Sequence, residues 1–177
     1  MITKKLSEIL SFQNGSKATC VPGVIPVYGG NGVLGYSDRS NYNNVIIVGR
    51  VGAYCGSVHQ IGGDCWVSDN AIAGIHKDIK CSKFNYYLMK SLNLGKQKIG
   101  SSQPLLTQQI LNNIVVTIPD KTTDQIKIAE MLSALDDKIE LNNKINQELD
   151  DKLREHKNYA YENGIDLPEI ADWTWED

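Results

Sequence analysis

The chain has 177 residues, 41% of them hydrophobic and 22% charged, a make-up that excludes a disordered tail or a collagen-like rod and suits one ordinary domain with an appendage. The formal net charge of −3 argues at first sight against a binder of nucleic acid, but it averages two unlike parts: residues 1–120 carry +5 and residues 121–177 carry −8. A mildly basic module followed by an acidic one suits two jobs, the first of them contact with an anion.

The N-terminal stretch is broken by Glu8 and has no small-residue cleavage site, so no secretory signal is expected. No apolar run reaches the roughly 20 residues that cross a bilayer. Cys20, Cys55, Cys65 and Cys81 form no CxxC pair, and the spacing of Cys55, His59, Cys65 and Cys81 lacks the tight ligand pairs of a zinc site. The expectation is a cytoplasmic protein with free, mostly buried thiols, no metal, no cofactor of its own and no membrane partner.

From Val24 to Gly74 short β-type runs alternate with glycine turns. Val24–Tyr28 is one such run and Val45–Val48 is a continuous apolar strand. Ser57–Ile61 and Cys65–Val67 flank Gly62-Gly63-Asp64, a hairpin signal. The pattern predicts a compact β-rich sheet or partial barrel. A helix follows, with Ser82 as its N-cap, Phe84, Tyr87, Leu88, Ser91 and Leu92 on one face, and Gly95 as its stop. Lys96 to Pro104 reads as a polar, basic loop, Thr107 as the cap of a short helix, and Ile114–Ile118 as a strand ended by Pro119.

The period then changes. Thr122-Thr123-Asp124-Gln125 reads as a capping box, and no Pro or Gly interrupts from there to Glu162. Ile128, Leu132, Leu135, Ile139, Leu149 and Leu153 fit a heptad seam, with Asn142 and Asn146 also in it. At about 1.5 Å per residue, a helix of about 40 residues is roughly 60 Å long. An apolar stripe on such a helix calls for a partner helix. The predicted fold class is therefore α+β: a small β-rich domain over 1–120, then a long helix over 121–163 that forms a coiled coil with a partner helix, then a tail over 164–177.

Catalytic motifs fail one after another. Gly30-Asn31-Gly32-Val33-Leu34-Gly35 is literally GxGxxG, but turn-like sequence follows it where a nucleotide fold needs a helix. There is no phosphate loop, no methyltransferase tetrapeptide and no histidine with an obvious nucleophile. A binding module is expected, not an enzyme.

In order along the chain, Leu6-Ser7-Glu8-Ile9 with Asn14-Gly15-Ser16, Ile25 to Gly32, Val45 to Gly56, Asp69-Asn70-Ala71 and Asp124 to Ile139 resemble one half of a type I restriction-modification specificity subunit. The last segment is the most specific, an acid-Gln-x-x-Ile-Ala pattern after a proline. Leu167 to Glu176 resembles the lead-in to a further recognition domain, so the chain looks like one repeat of a circular arrangement. The resemblance implies a target recognition domain that reads one part of a bipartite site in double-stranded DNA. It implies a long helix that sets spacing and docks modification (methyltransferase) subunits, which carry S-adenosylmethionine, in a complex that a restriction subunit can join. One reader with one helix suggests a homodimer through the helix. Candidate DNA contacts are Arg50, Arg39, Lys96, Lys98, Gln60 and Gln103, with Tyr28 and Tyr36 as stacking or phosphate groups; Arg and Gln match guanine and adenine edges, and Lys holds phosphate. The alternative is an interaction module or decoy that binds modification subunits through the helix and reads no DNA.

Overall fold

A computed structural model describes residues 1–18, 20–96 and 105–165. The chain divides into two units, 1–132 and 133–177. The first begins with β1 (Ile2–Lys5) and β2 (Leu10–Asn14), continues through β3 (Ile25–Gly29), β4 (Gly32–Ser37), β5 (Tyr42–Gly49), β6 (Val58–Val67) and β7 (Ala71–His76), and then turns helical in α1 (Ser82–Ser91) and α2 (Gln108–Asn113). Strand β8 (Val115–Ile118) leads into α3 (Thr122–Glu162), whose first turns belong to this unit. The predicted α+β class, a β-rich module followed by one long helix, is what the structure shows.

Of the sheet and the partial barrel, the sheet is found. Six strands run in the order β2-β7-β5-β6-β3-β4, antiparallel except for the parallel β3–β6 contact, and β1 pairs with β8 as a separate antiparallel ladder. The centre is β5, where Val45, Ile46, Ile47, Val48 and Gly49 are all buried. Alternate residues serve opposite faces. Ile46 and Val48 join a cluster with Phe84 and Met89 of α1, Leu111 of α2, Val116 of β8 and Ala129 of α3. Val45 and Ile47 join a smaller one with Cys65, Val67, Ala71 and Ala73. A continuous apolar strand is the signature of a sheet covered on both sides, and each fully buried Val or Ile contributes about 1.5–3 kcal/mol.

The predicted hairpin at Gly62-Gly63-Asp64 is corrected. Val58–Val67 is one unbroken strand, and the glycines form a bulge in it. Opposite them the register slips between Asn43↔Asp64 and Val45↔Ile61, so Gly62 and Gly63 face the single residue Asn44, itself at φ 49°. A two-against-one bulge uses glycine for the same backbone freedom that a turn does, which is why the sequence signal misleads. GxGxxG lies in the β3–β4 hairpin and opens no helix, with Gly32 at φ 95°.

Two helix ends also differ. Ser82 is the first residue of α1, and the carboxylate of Asp78 accepts from Lys80 N to cap the preceding 3₁₀ turn. The helix ends at Ser91, before Gly95, and Asn93 (φ 47°) takes the left-handed position. Thr107 caps α2 as predicted, accepting from Ile110 N at 3.2 Å.

At the start of α3, the side chain of Gln125 does not serve the predicted capping box. Its Nε2 donates to Pro119 O at 2.7 Å, and the residue is only 8% exposed. Ala129, four residues on, is buried in the main cluster. The acid-Gln-x-x-Ile-Ala pattern thus acquires a physical reading: glutamine ties the helix to the end of β8, and alanine is small enough to sit against the core. Cys55, Cys65 and Cys81 are buried and Cys20 is exposed, with no disulfide among them. Among the described residues, no helix is long and apolar enough to cross a membrane. Lys98, Gln103 and the predicted tail from residue 166 onward lie outside the described residues.

Two outcomes follow from these contacts. Gln125→Ala leaves the Pro119 carbonyl without its partner and should lower unfolding free energy by about 1–3 kcal/mol in urea titrations. His76 lies beside Asn85, whose Nδ2 donates to His76 Nδ1 at 3.2 Å, so the ring proton sits on Nε2, buried without a partner. Burial holds the His76 pKa below its ordinary 6.5. The unfolded chain therefore takes up this proton first on acidification. Stability present above pH 6.5 should decline as pH falls toward the lower folded value, and His76→Gln should flatten that part of the pH profile.

Candidate nucleic-acid interface

Among the described residues, the candidate contacts lie on different elements and faces of the unit. Tyr28, in β3, is half-buried against the Val45–Ile47 side of the sheet. Burial raises its pKa, with smaller contributions from Cys65 and Tyr36, so its hydroxyl stays a donor at neutral pH. Tyr36 is exposed on the edge strand β4, two registers along the hairpin. Gln60 pairs with Ile46 across β5–β6 and shares that residue's face, the opposite side from Tyr28. Arg39 is exposed in the β4–β5 connection and pairs with Asp38 at 3.5 Å, a solvated ion pair of small energetic weight. Lys96 is exposed at the end of the 3₁₀ turn Leu94–Lys96.

Arg50 is placed differently. It is the first residue after the buried β5 and is itself half-buried. Its N–H donates to Asn70 O at 3.0 Å, and its carbonyl accepts from Leu106 N at 2.9 Å and from Cys55 Sγ at 3.2 Å. The loop beyond it is tight. Gly56, at φ 91°, would bring a Cβ to 2.3 Å from Gly95 N, and Gly56 N donates back to Gly49 O at 2.8 Å. Glycine is required there both for the backbone angle and for the close approach.

With that backbone fixed, the Arg50 side chain lines an open cleft of about 500 Å³ together with Asn14 from the end of β2 and Thr107, Gln108, Gln109, Asn112 and Asn113 of α2 and its cap. Arg50 Nε is buried and has no hydrogen-bond partner among the described residues. None of the described lining residues is acidic. Lys5 Nζ donates to Asn113 Oδ1 at 3.3 Å, which brings a second cation to the rim. Of the sequence-derived candidates among the described residues, only Arg50 lies here. The amides were missed because their one local signal, the run Thr107-Gln108-Gln109 with Asn112-Asn113, reads as a polar short helix until the fold brings Asn14 and Arg50 beside it.

The long helix presents the second surface. In α3, Ile128, Leu132, Leu135, Ile139, Leu149 and Leu153 of the predicted seam are exposed, and Asn142 and Asn146 are exposed with them. Met131, Leu141 and Ile145 are exposed as well and lie off that seam, so the apolar surface is wider than a single stripe.

Comparisons with known proteins cover both parts of the chain. The type I restriction modification DNA specificity domain matches residues 2–151, which takes in the β-rich unit and most of α3. The chain is 29% identical over 119 residues to the EcoprrI specificity subunit of a type I restriction enzyme from Escherichia coli, an alignment covering 64% of this chain and 28% of that protein. The S subunit of a type I restriction-modification system from M. genitalium superposes with a TM-score of 0.73 at 21% identity, over 90% of this chain and 45% of that one. A chain from a structure of type I R-M complex assembly and conformational transition gives a TM-score of 0.71 at 13% identity, over 93% of this chain and 45% of that one. The chain thus spans under half the length of the relatives it matches, and at these identities the solved structures establish the fold. With the family match running through both the β-rich unit and the helix, the chain belongs to the type I restriction modification DNA specificity domain family.

Proposed function

We propose that this chain is a non-catalytic DNA-specificity subunit of a type I restriction-modification system, reading one part of a bipartite duplex site with its β-rich unit and docking modification subunits through α3. The observation that carries the reading is the single family match that covers both parts, residues 2–151. The charge division supports it: +5 over residues 1–120 suits a reader, and −8 beyond suits an arm that avoids DNA. So small a basic excess also implies weak, salt-sensitive binding by the chain alone, with modification subunits adding most phosphate contacts. S-adenosylmethionine and the methyl transfer belong to those subunits in this reading, a restriction subunit is a further partner, and the work is done in the cytoplasm.

The seam of α3 is complementary to itself in an antiparallel pair. With a two-fold axis beside Lys144, Asn142 of one copy meets Asn146 of the other, Ile139 meets Leu149 and Leu135 meets Leu153, each pairing an a with a d position. The central asparagines set the register at some cost in stability. Two readers related by a two-fold axis suit an interrupted palindrome. The apolar residues outside the seam, Met131, Leu141 and Ile145, leave surface for helices of modification subunits.

Two measurements test this. The unaltered chain should be a dimer by light scattering and the Leu135→Lys, Ile139→Lys double variant a monomer; an unchanged mass removes the helix-seam dimer. In a DNA shift assay with a modification subunit, a sequence-specific shift is expected. Subunit binding without DNA specificity would instead make the chain the decoy.

A further inference from the structure

We propose that Arg50, Gln108, Asn112 and Asn14 form the base-reading site of this unit and take the hydrogen-bonding edge of a purine in duplex DNA. This rests on the DNA-reading function proposed above and goes further, because it assigns sequence discrimination to one cleft built from three separated segments.

Three features of the cleft carry the inference. First, Arg50 is held for a ligand and has none among the described residues. Both its backbone groups are engaged, with Asn70, Leu106 and Cys55, while Nε is buried without an acceptor. A buried donor left unsatisfied is costly in the free protein, and an Nε with no internal acceptor leaves the guanidinium without an anchor to the described residues through that nitrogen. Second, the described lining contains no carboxylate that would neutralise the guanidinium.

Third, the other described lining groups, apart from Thr107, are amides. A phosphate presents acceptors alone, and a phosphate site would be lined by donors. Asn14, Gln108 and Asn112 each present a donor and an acceptor, and no described residue is hydrogen-bonded to their side chains. A base edge also presents both. Adenine offers N7 as acceptor and N6–H as donor, the pattern an Asn or Gln amide matches bidentately, and guanine offers O6 and N7 to an arginine fork. Thr107 accepts from Ile110 N and fixes the first turn of α2, so Gln108 and Asn112 stand on a capped helix beside a clamped arginine. A constellation held this way loses little freedom on binding.

The test is a binding selection from a randomised duplex library by the full chain in low salt. It uses the unaltered protein, Arg50→Lys, Gln108→Ala and Asn112→Ala, each checked by thermal melting. Arg50→Lys keeps the charge but loses the planar fork. It is expected to reduce preference at one or two adjacent positions by about ten- to a hundredfold and to leave the salt dependence unchanged. Gln108→Ala or Asn112→Ala, which keep the Thr107 cap, should relax the same or a neighbouring position. Variants that weaken binding equally to all sequences would make the cleft a backbone contact and overturn the proposal. Unaltered preferences in all three variants would overturn it while leaving the DNA-reading function in place. No preference in the unaltered protein would overturn both.

Discussion

The run Val45-Ile46-Ile47-Val48-Gly49 has protein on both faces, and the rest of the first unit is arranged around that burial. Because its side chains alternate, one strand anchors two apolar clusters, and neither could be exposed without opening the other. The neighbours are set in turn. β7 and β6 flank the strand, β2 and β4 become the edges, and the helices and the β1–β8 ladder cover the Ile46–Val48 side. The site follows from the same constraint. A strand this apolar ends where the first polar residue leaves the core, and that residue is Arg50. Its position between buried sheet and solvent is thus set by where the core ends, and the contacts with Asn70, Cys55 and Leu106 then hold it there.

The −3 net charge is a poor summary of such a molecule. The two units carry opposite excesses, and the opposite excesses suit opposite tasks: attraction to a polyanion in one, solubility of a broad apolar helix surface in the other. An exposed apolar stripe tends to associate without discrimination unless polar residues interrupt it. Asn142 and Asn146 do that in the middle of the seam, and the charged residues flanking it keep the free helix in water. An ion pair such as Glu140–Lys144, at 2.6 Å on the surface, adds little to that stability.

What could be read from the sequence was whatever depends on local pattern. The buried strand, the long helix, the Thr107 cap and the turn nature of GxGxxG all rest on periodicity or on the residues immediately following. What could not be read rests on pairing between distant segments. Gly62-Gly63 looks like a turn until the unmatched Asn44 is seen across the ladder, and β1 is a strand only because β8 returns to it more than a hundred residues later. Gln125 looks like a capping residue until Pro119 O is seen to take its amide. The candidate contacts depend on distant pairing in the same way. Residue type alone selected Arg39, Gln60 and Tyr28, which the fold disperses, one to an exposed ion pair and the others to opposite faces of the sheet. The amides of α2 carried no local mark of function.

The clamp on the Arg50 backbone bears on how such a protein changes over generations. The hydrogen bonds to Asn70, Leu106 and Cys55 that hold this corner are made by main-chain groups and a buried thiol, and the α2 cap is made by Thr107. None of them uses the side chains of Asn14, Gln108 or Asn112. Those positions can be exchanged without losing any hydrogen bond of the clamp or the cap, so, if the proposed cleft reads bases, new preferences can be sampled by point mutation while this corner stays in place. On that proposal the corner separates heritable specificity from structural viability, and drift in one need not wait for compensation in the other.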